Sequence, residues 1–129
     1  MNLLGEREPN IYGNKTLEEL MLWLKNSTIG LKHTFKFFQS NHEGKIIDYI
    51  HDNRHWAKGI IINPGAFTHY SYAIMDAIKS VNIPTVEVHI TDLKKRDDFR
   101  KKSVIAPACI KQISGLGKHS YLEGVKELI

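Results

Sequence analysis

The residues most able to do chemistry fall in three short stretches of the 129-residue chain. The first is Glu87-Val-His89, in which a carboxylate and an imidazole are two positions apart. On a β-strand that spacing puts both side chains on one face. A buried carboxylate beside a histidine fixes the ring tautomer and favours the charged ring, so His89 is a candidate proton donor. The second is Asn63-Pro-Gly-Ala-Phe-Thr68-His69. Asn63 offers an amide donor and acceptor, and Gly65 lets a ligand approach the backbone closely. A helix expected to begin at Thr68 and His69 would present backbone N–H groups to an anion or a carbonyl oxygen. A plain turn with Thr68 as the helix cap is the alternative. The third is the Gly-flanked stretch 5–14 (GEREPNIYGN), which holds Arg7 and Tyr12. A tyrosine of ordinary pKa, about 10, is a poor base at neutral pH. A neighbouring guanidinium would favour the phenolate. Arg7 and Tyr12 together fit a lid that delivers a base. An exposed loop without a role fits the segment equally.

Elements that would position these residues follow from the apolar pattern. Thr16-Leu-Glu-Glu19 is a capping box that opens a helix over about 16–29. The aromatic run 33–39 (HTFKFFQ) predicts a strand. A second helix is expected after Asn41, with Ile46, Ile47, Tyr49 and Ile50 on its apolar side. Lys58 to Ile62 is a short apolar run of the kind buried in parallel sheets. A helix over about 69–80, a strand over 85–89, a short basic helix over 93–102, a strand over 108–113 and a last helix over 121–129 complete the order. Such alternation predicts a single α/β domain over 1–129, with a parallel sheet covered by helices on both faces. Ligands of these sheets bind beyond the carboxyl ends of the strands. That places Asn63 and Gly65 beside His89 and Thr91 in one cleft.

Composition narrows the function classes. Apolar residues make up 42% and charged residues 25%, as in a soluble globular protein. Cys109 is the single cysteine, so no internal disulfide can form, which suits the cytoplasm. No apolar run approaches the roughly 20 residues that span a bilayer. The start, MNLLGEREP, has neither the basic nor the long apolar region of a signal peptide. Net charge is +4, and the stretch 94–102 (KKRDDFRKK) carries that much alone. A nucleic-acid surface, a solvated helix face and a local anion site built on Arg96 and Arg100 all fit it. No aromatic residues interleave with it beyond Phe99, which disfavours nucleic acid. GxGxxG, GxxxxGK[ST], CxxC and HExxH are all absent, and the seven histidines show no zinc spacing.

Four stretches, LLGEREPNIYG (3–13), NPGAFTH (63–69), EVHIT (87–91) and RDDFRKKS (96–103), resemble type II 3-dehydroquinate dehydratases in the same order and at similar spacing. The resemblance implies a flavodoxin-like fold, a dodecamer built as a tetramer of trimers, and conversion of 3-dehydroquinate to 3-dehydroshikimate in the shikimate pathway. It implies no cofactor and no metal. Tyr12 would be the base and Arg7 the residue that favours its phenolate. Asn63 would hold the water that stabilises the enolate. His89 would be the acid, with Glu87 near it. His69, Ile90 through its N–H, Thr91 and Arg100 match substrate-binding positions, and Gly65 lies among them. Arg96 matches a position linked to the site and its trimer. Asp76 matches an acidic residue that reaches a neighbouring subunit. Family members also begin with an apolar strand and an NGPN turn, central in the sheet, where Met1 stands here. That strand is therefore expected to be absent, and its loss should lower stability by several kcal/mol of a total of about 5–15. An active dehydratase and an inactive relative that binds ligand or only assembles both remain open.

Overall fold

The computed structural model describes Leu4 and residues 16–93 and 102–129. The lid stretch 5–14 and most of the basic stretch, with Arg7, Tyr12, Arg96 and Arg100, lie outside the described residues.

The first helix, α1 (Leu17–Asn26), opens as the capping box demands: the Thr16 hydroxyl accepts the Glu19 N–H at 3.2 Å. Helix α2 (Glu43–Asp52) begins after His42, not Asn41, and no side chain caps it. Strand β1 (Ile60–Ile62) follows, then helix α3 (Tyr72–Val81), strand β2 (Thr85–His89), strand β3 (Lys111–Ser114) and helix α4 (His119–Glu127). The three strands form one parallel sheet in the order β1-β2-β3.

Alternation along the strands divides the core into two faces. Ile60 and Ile62 join Ile50 of α2 and Ile74, Ala77 and Ile78 of α3. Ile61, Val86, Val88 and Ile113 turn the other way, toward Tyr121 and Leu128 at α4. Helices therefore cover both faces, as expected for a doubly wound α/β domain. Ile74 and Ile78 are fully buried, each worth about 1.5–3 kcal/mol of transfer free energy.

Three local expectations are corrected. The stretch 33–39 is extended but joins no strand pairing among the described residues. A strand needs a neighbour to satisfy its backbone groups. Residues 34–39 share no backbone hydrogen bond with any described residue. A groove of about 850 Å³ separates them from β1, lined by Phe35, Phe37, Ile60 and Ile62 among others. Among the described residues, β1 therefore pairs with β2 alone. Second, the helix expected from 69 starts at Tyr72. Gly65–His69 forms a 3-10 turn instead, and Ser71 caps α3 by accepting the Ile74 N–H at 3.1 Å. Third, the last strand and helix start at Lys111 and His119 rather than 108 and 121.

Candidate active site

Strand register brings the candidate residues to one edge. His89 pairs with Ser114, so β2 and β3 end together, and Ile62 pairs with Glu87, so β1 ends two residues short of them at the same edge. Asn63 follows β1 directly, one step along from that pairing.

Glu87 and His89 share a face of β2, as their spacing predicts. His89 Nε2 lies 2.5 Å from Glu87 Oε2, and both side chains are buried. Three more side chains reach the same carboxylate. Thr68 Oγ1 donates to Oε2 at 2.5 Å, Gln112 Nε2 to Oε2 at 3.0 Å, and Ser103 Oγ to Oε1 at 2.7 Å. Burial alone would raise the Glu87 pKa. The hydrogen bonds from His89, Thr68, Ser103 and Gln112 outweigh it and hold the carboxyl below its ordinary value. Glu87 is thus an anion that only accepts. It follows that His89 Nε2 carries a proton and that Nδ1 is the ring nitrogen left to exchange one.

Asn63 is held at both ends of its amide. Nδ2 donates to the Tyr121 hydroxyl oxygen at 2.9 Å, and Oδ1 accepts the Gly65 N–H at 3.1 Å. Burial pushes the Tyr121 phenol up to about 12, against a smaller lowering by Asn63, so it stays neutral. Gly65 sits at φ +59°, in the left-handed region that favours glycine. His69 Nδ1 lies 2.7 Å from the Lys102 carbonyl, which can only accept, so Nδ1 carries the proton there. The Val104 N–H donates to the Thr68 carbonyl at 2.7 Å. Residues 102–104 are therefore stitched alongside residues 68 and 69.

Asn63, Gly65, His69, Glu87 and His89 thus gather at the strand ends, with Ile90 and Thr91 next in the chain. Asp76 does not join them: it is exposed on α3. Thr68, Ser103, Gln112 and Tyr121 have parts in the site that sequence reasoning did not assign. Gln112 could have been found from strand register, since it pairs with Glu87. Ser103 and Tyr121 carry no such signal. Among the described residues, no group of three or more His, Cys, Asp and Glu side chains could hold a metal ion.

A parallel α/β domain with a caged carboxylate–imidazole pair at the carboxyl edge of its sheet is built for proton transfer to a small molecule. The chain belongs to the class II dehydroquinase family, whose model matches residues 1–129. It is 50% identical to the 3-dehydroquinate dehydratase of Halothermothrix orenii over 129 residues, covering 100% of this chain and 87% of that one. It is 55% identical to the enzyme of the same name from Caldicellulosiruptor bescii, covering 100% and 92%. The crystal structure of the type II dehydroquinase from Butyrivibrio crossotus superposes with a TM-score of 0.94 at 45% identity, covering 98% of this chain and 89% of that one.

Proposed function

We propose that this chain dehydrates 3-dehydroquinate to 3-dehydroshikimate by an anti elimination through an enolate, with Tyr12 as base and His89 as acid. Family membership over the whole chain supports the reaction. The buried Glu87–His89 bond beside Asn63 is the observation that carries the assignment of the acid.

Tyr12, as phenolate, removes a proton from the carbon next to the ketone, and Arg7 favours that phenolate. The stretch 5–14 closes over the substrate as a lid. Charge gathers on the ketone oxygen, where Asn63 stabilises it through a water molecule. His89 passes its Nδ1 proton to the leaving hydroxyl, which departs as water. Glu87 stabilises the charged ring before that transfer. Gly65, His69, the Ile90 N–H, Thr91 and Arg100 hold the hydroxyls and the carboxylate of the substrate. Asp76 reaches a neighbouring subunit's site and Arg96 supports the trimer, in a cytoplasmic dodecamer of four trimers. The chemistry asks for arranged donors and acceptors, and no step requires a cofactor or metal.

The test is growth of the enone absorbance when the purified chain meets 3-dehydroquinate. Turnover that Tyr12→Phe abolishes supports the reading. A rise in melting temperature with substrate but no product would instead show a chain that binds without catalysis, and would sink it.

A further inference from the structure

Four side chains from different parts of the chain converge on Glu87, and the direction of each bond follows from counting protons. Ser103 is the informative one. Its Oγ accepts the Ile105 N–H at 3.2 Å and the Ala106 N–H at 2.9 Å. A hydroxyl oxygen has two lone pairs. Both are filled by the backbone of the turn that follows, so the hydroxyl proton is directed outward. It meets Glu87 Oε1 at 2.7 Å. Thr68 Oγ1 lies 2.9 Å from Ser103 Oγ, but its own proton goes to Glu87 Oε2. Ser103 is therefore a one-way donor, held by two main-chain N–H groups. It also sits between Lys102 and Val104, which are tied to His69 and Thr68.

We propose that Ser103 is a positioning residue for the dehydration: by fixing Oε1 of Glu87 it turns Oε2 toward His89 and so holds the imidazole with Nδ1 toward the reacting molecule. This rests on the reading of His89 as the acid. Without Ser103, Thr68 and Gln112 still hold Oε2, but nothing fixes Oε1 among the described residues, and the carboxylate plane can turn about its last torsion, which is soft. The angle at which Oε2 meets Nε2 then loosens, and the neutral ring can place its proton on either nitrogen. Among the described residues, few other titratable groups face Glu87. His89 lies on its own strand. Cys109, beyond the Ala106–Ala108 turn, has its thiol pushed up to about 12 by burial and then by the Glu87 charge. Thr68, Ser103 and Gln112 do not titrate.

The test compares the full chain with Ser103→Ala, Ser103→Thr and Gln112→Leu, reading the His89 ring by 15N NMR and turnover against pH. In the unmodified chain the neutral His89 ring should show its proton on Nε2. In Ser103→Ala a second tautomer should appear. There kcat should fall at least tenfold, a part of the roughly 10²–10⁴ a placed general acid supplies. KM should move little, and the Glu87 carboxyl, followed by 13C NMR, should titrate at higher pH, because it has lost a donor. Ser103→Thr keeps the hydroxyl and should restore most of both readouts. A folded Ser103→Ala chain with one tautomer, an unmoved Glu87 carboxyl titration and full kcat overturns the proposal. Should Ser103→Ala not fold, Gln112→Leu removes a donor from the other oxygen and must shift the Glu87 titration the same way; failure to do so is equally fatal. The ring spectrum needs no turnover. A proton on Nδ1 in the unmodified chain refutes the proposal whether or not the chain is an active dehydratase, and Nε2–H in a chain without turnover sinks the assignment of the acid instead.

Discussion

Asn63 and Tyr121, 58 positions apart in sequence, meet through a 2.9 Å hydrogen bond from the Asn63 amide to the tyrosine oxygen. The contact ties the end of β1 to helix α4. It also explains why a phenol pushed up to about 12 is tolerated in the interior: it stays neutral and bonded. Tyr121→Phe keeps the ring and removes the acceptor for Nδ2. A stability loss of about 1–3 kcal/mol is expected, the cost of a buried polar group losing its partner. Thermal unfolding of the two proteins measures it. Turnover should fall as well, because the Asn63 amide loses the partner that orients its Nδ2, and a variant with unchanged melting temperature and rate would refute the contact.

Stability should depend on pH through Glu87. Its folded pKa is depressed below the ordinary value of 4.5, chiefly by the His89 bond acting against burial. The sign is that of a lowered acid: the contribution is present above the unfolded pKa and is lost as pH falls through the folded one. Urea unfolding between neutral pH and about pH 3 should therefore show a loss beginning near pH 4.5. Glu87→Gln should flatten that part of the curve. An equal acid loss in both proteins would assign it to other carboxylates.

Two glycines should respond differently to alanine. At Gly30 a Cβ would lie 2.0 Å from the Leu24 carbonyl oxygen, which is backbone and cannot move aside without disrupting the end of α1. At Gly65 nothing lies within 4 Å, and the cost is that of the left-handed conformation alone, about 1–2 kcal/mol. Gly30→Ala should therefore lower the melting temperature much more than Gly65→Ala. Comparable losses would contradict the close approach at Gly30.

Cys109 should be slow to alkylate. Its thiol is pushed up to about 12, by burial first and by Glu87 second, and the thiolate is the reactive form. Iodoacetamide should label it in urea far faster than in buffer at pH 8. Equal rates would show an open pocket.

The sheet and the carboxylate–imidazole pair were legible because each rests on short-range pattern. Alternation of apolar runs marks the parallel sheet, the strand-end rule selects Asn63, Gly65, His89 and Thr91, and the two-residue spacing adds Glu87 to His89. Capping at Thr16 was equally local. What was not legible depends on residues distant in sequence. Ser103 reaches Glu87 across 16 positions and Thr68 across 19, and neither type is unusual where it stands. The aromatic stretch 33–39 has strand-forming residues, yet pairing is a property of two segments, and no described residue supplies the second. Helix α3 starts late because Ser71, not Thr68, caps it, a choice set by the 3-10 turn after Pro64.

The groove along β1 has a consequence for handling the protein. It sets strand β1, which pairs with no second strand among the described residues, beside aromatic side chains, and Phe37, Phe38 and Trp56 around it are exposed. Such surfaces are adhesive. Concentrated solutions should light up the dye ANS, scatter light more as salt neutralises the +4 net charge, and clear on dilution.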